Sequence, residues 1–146
     1  MVLDAARAIS RHIRGEIINT ILYYLSLMDK KYVFNEDTQV IEVMEKIGEE
    51  EYKIFITIKG VWIISLYVGP SIADLDPEKK SELMYKLLKM NREMMEMKIS
   101  LDKDDRIIIT VESSIVSLTF DNFYIEFNAI PYAIMELHKI LASIFG

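Results

Sequence analysis

The sequence predicts an α+β protein, an antiparallel sheet carrying helices, with its elements in the order α-β-β-β-α-β-β-α. Three observations predict it. Apolar residues recur at three- and four-residue spacing in three stretches, near both ends and in the middle. Between them, β-branched and aromatic residues alternate with polar ones. Gly48, Gly60 and the acidic run at 102–105 fall where strands must reverse. At 146 residues, 51% hydrophobic and 27% charged, the chain reads as one domain spanning 1–146. A domain near this size buries roughly 68–70% of its unfolded surface, so its core needs no staples.

Residues 4–29 follow a helical period. Ile9, Ile13, Ile17, Thr20, Ile21, Tyr24 and Met28 share one side, and Asp4 suits the cap. Beyond Gly15 the helix turns apolar nearly all round, because Ile18, Leu22, Tyr23, Leu25 and Leu27 occupy directions outside that stripe. Helices of this kind are normally covered on more than one side, which makes those five residues candidate contacts for another protein. Arg7, Arg11 and Arg14 form a short basic ridge and a candidate anion contact, although three charges without interleaved aromatics more often face solvent.

Residues 31–35 and 39–47 read as one strand bent at 36–38. The stretch 51–58 alternates as a strand with one buried face, Lys59 and Gly60 make the next turn, and 61–68 follows before Gly69 and Pro70 end the meander. Asp76 then caps a helix that opens on Pro77 and Glu78, residues suited to its first turn, in a stretch reaching Met97. Leu83, Met84, Leu87, Asn91, Met94 and Met95 share its apolar face, while Tyr85 lies outward as a further candidate contact. An unpaired amide at Asn91 would cost about 1–3 kcal/mol, so this side chain is expected to tie the helix to neighbouring backbone. A second hairpin pairs 95–101 with 106–113. From Thr119 a last helix carries Phe120, Phe123, Tyr124, Phe127, Ile130, Ile134, Leu137, Leu141 and Ile144. Pro131 deletes the hydrogen bond to the Phe127 carbonyl, which predicts a kink or two shorter helices.

Composition excludes several functions. Seventeen basic against 23 acidic side chains give a net charge of −6, which argues against nucleic acid and acidic membranes as general partners. With no cysteine, disulfides, thiolate catalysis and cysteine-ligated metals are ruled out, and the cytoplasm is the expected compartment. The longest apolar region, 17–28, is interrupted by Asn19, Thr20 and Ser26 and falls short of the roughly 20 residues that cross a bilayer. Asp102, Asp104 and Asp105 begin like a calcium loop, but Arg106 stands on a ligand position and Ile107 where glycine is required. His12 and His138 lack any metal-ligand spacing, and neither a phosphate-cradling glycine loop nor a nucleophile elbow occurs. No catalytic residue, metal or cofactor is expected. Five of the nine methionines, Met84, Met90, Met94, Met95 and Met97, crowd the central segment, where flexible side chains suit either core filling or an adaptable surface.

Three local patterns resemble the YbjN superfamily, whose fold is that of the type III secretion chaperones. Leu87-Leu88-Lys89-Met90-Asn91-Arg92-Glu93 is similar to that family's Leu-Leu-x-x-Asn-Arg-Glu; the hairpin at 97–112 matches its strand, acidic turn and strand; and Leu118-Thr119-Phe120-Asp121-Asn122-Phe123 opens the last helix in the same manner. The resemblance spans nearly the whole chain and implies a non-enzymatic sandwich, often dimeric, that binds other polypeptides. The combined expectation is a homodimer with an unidentified protein partner. Its rivals are a regulator touching nucleic acid through the three arginines and an enzyme whose site is assembled from distant residues.

Overall fold

The computed structural model describes residues 2–146. Helix α1 (Val2–Leu27) leads into four strands, β1 (Lys31–Asn35), β2 (Val40–Ile47), β3 (Glu50–Lys59) and β4 (Trp62–Ser71). Helix α2 (Pro77–Glu93), strands β5 (Lys98–Leu101) and β6 (Arg106–Ser114), a 3-10 turn at Ile115–Ser117 and helix α3 (Phe120–Phe145) complete the chain. The predicted order of helices and strand groups stands, with one subdivision. The segment 31–47 is two strands, because Asn35 Oδ1 accepts the Asp37 and Thr38 amides and Gln39 takes a φ of 58°, reversing the chain where a bend was expected. Strand β4 also continues through Gly69 and Pro70 to Ser71, with an irregularity in its pairing to β6 between Val68 and Ser71.

The six strands form one antiparallel sheet in the order β1-β2-β3-β4-β6-β5. Gly48 and Gly60 hold positive φ in the two-residue turns that set the β2–β3 and β3–β4 registers. Those registers place Ile41, Val43, Ile54, Ile56, Ile63, Ile109 and Val111 on one face. That face shares a single core with Ile18, Ile21 and Leu25 of α1, Leu83, Leu87 and Met90 of α2, and Phe123, Phe127, Ile130, Ile134 and Leu137 of α3. All three helices therefore cover the same side of the sheet. Tyr24 packs edge-on against Phe120, and Lys86 reaches Ser143 across the α2–α3 junction at 2.9 Å, so α3 lies between the other two.

Both outer helices are rotated from their predicted faces. In α1 the buried stripe runs Ile18, Ile21, Leu25, while Ile9 and Ile13 are exposed and stand across an open cleft from Ile58, Val61 and Ile115. In α2 the core receives Leu83, Leu87 and Met90; Met84 and Met95 are exposed, and the helix ends at Glu93 with Met94 extended. Helix α3 is continuous through Pro131 and is capped by Thr119 Oγ1, which accepts the Asn122 amide at 3.2 Å.

Candidate protein-interaction surfaces

The apolar candidates of α1 divide. Ile18 and Leu25 are buried in the core and are unavailable to a partner, which corrects the expectation that both face outward. The reason is the rotation of α1: with the sheet below and the start of α3 beside it, the helix turns two of its five surplus residues inward. Leu22 is half-buried against the same core. Tyr23 and Leu27 remain at the surface, 62% and 53% exposed.

A further apolar surface, half-buried by its own neighbours, is one that strand periodicity alone does not assign. Cross-strand pairs Val33↔Glu42, Glu42↔Phe55, Phe55↔Leu66, Leu66↔Thr110 and Thr110↔Lys98 run across the sheet on the face opposite the helices. Ile64, Val68 and Ile108 lie on the same face by their registers. None of Phe55, Ile64, Leu66, Val68 or Ile108 belongs to the core, and no helix among the described residues covers them. Antiparallel sheets with one solvated face normally present polar residues there, so an apolar band is informative. Lys31, Lys53 and the Lys98–Glu112 pair, 2.7 Å apart, surround the band with charge.

On α2, Tyr85 is 59% exposed and lies beneath the Lys89 ammonium, 4.7 Å from the ring centroid. Its neighbours Met84 and Leu88 are also exposed and join Ile99 and Leu101 of β5 in an apolar groove of about 300 Å³. Asn91 Oδ1 accepts the Ile99 amide at 2.8 Å, fixing the end of α2 to the edge strand β5. A wider groove of about 660 Å³ lies between α2 and α3, with Met90, Met94, Ala129 and Ile140 along it and Glu93, Glu96 and Glu136 on its rim.

The ionisable groups are mostly in structural service. Arg14 Nη2 donates to the Ile58 carbonyl at 3.3 Å, so the basic ridge keeps Arg7 and Arg11 outward while its third member is tied to β3. Asp102 accepts the Asp104 and Arg106 amides and pairs with the Arg106 guanidinium at 2.7 Å. These contacts with Arg106, backbone first, hold the Asp102 carboxyl below its ordinary value and build the β5–β6 turn. His12 meets Glu16 one turn along at 3.1 Å. His138 approaches Tyr52 Oη through Nδ1 at 3.2 Å, and Tyr52 donates to Glu50 at 3.0 Å. Burial, then the Glu50 contact, raises the Tyr52 phenol; burial and the Glu50 charge raise Tyr67 beside it. Tyr52 and His138 lie 86 residues apart, so no local pattern announces this chain of contacts. Among the described residues no group of three or more His, Asp or Glu side chains is placed to hold a metal ion. Among them, too, no helix is long and apolar enough to cross a membrane.

No protein-family model and no curated protein sequence matches the chain. Solved structures do. YbjN from E. coli superposes with a TM-score of 0.60 at 15% identity, covering 83% of this chain and 90% of that one. The HopA1–SchA chaperone–effector complex gives 0.55 at 10% identity over 84% and 94% of the two chains. The Yersinia pestis type III secretion chaperone SycH, in complex with a fragment of YscM2, gives 0.52 at 10% identity over 81% and 93%. A helix, an antiparallel meander, a second helix, a hairpin and a final helix are thus arranged here as they are there, and the chain has the fold shared by YbjN and the type III secretion chaperones.

Proposed function

We propose that the protein is a non-enzymatic, chaperone-like binding module that acts as a cytoplasmic homodimer and holds a segment of another polypeptide. The observation that carries this reading is the sheet face opposite the helices, where Phe55, Leu66, Ile64, Val68 and Ile108 form an apolar band with no helix above it among the described residues. An extended client segment gains about 25 cal/mol for each Å² of apolar surface it removes from water there, and the surrounding lysines and glutamates limit nonspecific stacking. Tyr23, Leu27 and Tyr85 are secondary contacts in this reading, since all three remain exposed. The solved chaperones SchA and SycH, crystallised with effector or partner fragments, support a polypeptide as the ligand class.

The test compares proteins co-purified with the tagged chain and with its Leu66→Glu variant, alongside light scattering of both. The reading predicts a discrete partner recovered with the wild type and lost with the variant at unchanged circular dichroism. An identical set of recovered proteins from both would refute the sheet face as the site, and a monomeric wild type would refute the homodimer.

A further inference from the structure

The first half of α1 and the end of the β3–β4 hairpin face each other across an open cleft of about 530 Å³, a size usual for small-molecule sites. Ile9, Ile13 and Ile17 line the helical wall, and Ile58, Val61 and Ile115 line the other. Ile9, Ile13 and Val61 remain exposed, so the chain's own packing does not close the cleft. Along α1, from Ala6 to Ile17, it runs for about 16 Å.

Two polar side chains enter this lining, Ser10 and Arg14, one helical turn apart on the same wall. The Arg14 guanidinium is half-buried and gives one N–H to the Ile58 carbonyl at 3.3 Å. It makes no ion pair among the described residues. Among those residues no Asp or Glu lines the cleft. A half-buried guanidinium without a carboxylate, in a chain whose net charge is −6, is complementary to an incoming anion. Its remaining donors lie in one plane and match a carboxylate in particular.

The rest of the occupant follows from the backbone groups beside the cleft. The Ile58 carbonyl is taken by Arg14, and the Val61 carbonyl accepts the Ile115 amide at 2.9 Å. A polypeptide segment laid between these walls would press its own N–H and C=O groups against isoleucine and valine side chains, which costs free energy at every unpaired group. A hydrocarbon chain has no such groups and gains by leaving water along its whole length.

We infer that the cleft binds a medium-chain fatty acid, its carboxylate on Arg14 and Ser10 and its alkyl chain between Ile9 and Ile13 on one wall and Val61 and Ile115 on the other. The site is on the helical side of the sheet, separate from the band proposed for a polypeptide client, and does not depend on that reading.

Isothermal titration calorimetry with decanoate, decan-1-ol and butyrate tests it, with circular dichroism to check that each variant folds. Decanoate is expected to bind the wild type saturably, and the uncharged alcohol and the short acid at least about tenfold more weakly. Arg14→Gln is expected to weaken decanoate at least about tenfold while leaving decan-1-ol unchanged, a split that general damage to the cleft would not give. Arg14→Lys, which keeps the charge without the planar donors, is expected to fall between the two. In methyl NMR, decanoate is expected to shift Ile9, Ile13, Ile58 and Ile115. No saturable binding of decanoate, equal affinity for decan-1-ol, or an unchanged Arg14→Gln overturns the inference. So do shifts confined to Ile64 and Ile108, which would place the ligand on the opposite face of the sheet. An Ile13→Asp variant that loses self-association in sedimentation equilibrium, where decanoate has no effect on the wild type, would assign the cleft to a second copy and overturn it as well.

Discussion

Asn91 shows how one polar side chain inside an apolar stripe constrains its surroundings. Its amide oxygen takes the outward-facing amide of Ile99 on the edge strand β5, which both anchors the hairpin to α2 and removes a donor that another strand could pair with. Asn91→Leu leaves that amide to water or unpaired and is expected to lower stability by about 1–2 kcal/mol in urea denaturation, with helix content unchanged. Glu126 behaves oppositely. Burial raises its carboxyl above the ordinary 4.5, the Ser113 hydroxyl opposes the shift, and the Glu96 charge adds to it. A carboxyl raised in the folded state binds more protons folded than unfolded, so its contribution to stability falls as pH climbs from 4.5 toward the raised value and stays unfavourable above it. Glu126→Gln should therefore be more stable than the wild type at neutral pH, and the gap should close below pH 4.5, as urea midpoints at the two pH values will show.

At the scale of elements, α1 is a helix with two different environments, and Gly15 lies at the boundary between them. A Cβ placed on Gly15 meets nothing within 4 Å, and its φ is ordinary. Gly15→Ala is expected to stabilise the protein by about 0.5–1 kcal/mol, read as a raised melting temperature, because the change restricts the unfolded chain and costs the folded one nothing. Gly69 in β4 is the contrasting case: a Cβ there would stand 3.1 Å from the Ile107 carbonyl of the paired strand. Gly69→Ala is expected to destabilise the β4–β6 pairing, measured as faster amide exchange along both strands. Helix α3 keeps Pro131 in mid-length without dividing, since Phe127, Ile130, Ile134 and Leu137 on either side are all fixed in the core. The packing, rather than the missing hydrogen bond, decides its course.

At the scale of the molecule, one layer of helices over one sheet leaves a face whose residues can be changed without opening the core. Leu66→Glu should leave the melting temperature close to wild type, whereas Phe127→Ala should cost about 3–5 kcal/mol, since Phe127 is 1% exposed in the core; a calorimetric comparison of the two separates surface from core. The existence and order of the helices, the β2–β3 and β3–β4 turns at Gly48 and Gly60, the Asp76 cap and the acidic turn before β6 were legible in the chain, because each depends on residues within a few positions of one another. The rotation of α1 that buries Ile18 and Leu25, the uncovered band across Phe55, Leu66 and Ile108, and the Tyr52–His138 contact were not. A strand whose two faces are both apolar carries no mark of which one the helices will choose, and a helix apolar all round carries none of where its neighbours will lie. The sequence by itself determined local conformation and the absence of thiol chemistry; only the tertiary structure decided which apolar residues are spent on the core and which are left for a partner, because that depends on layers formed by segments far apart in the chain.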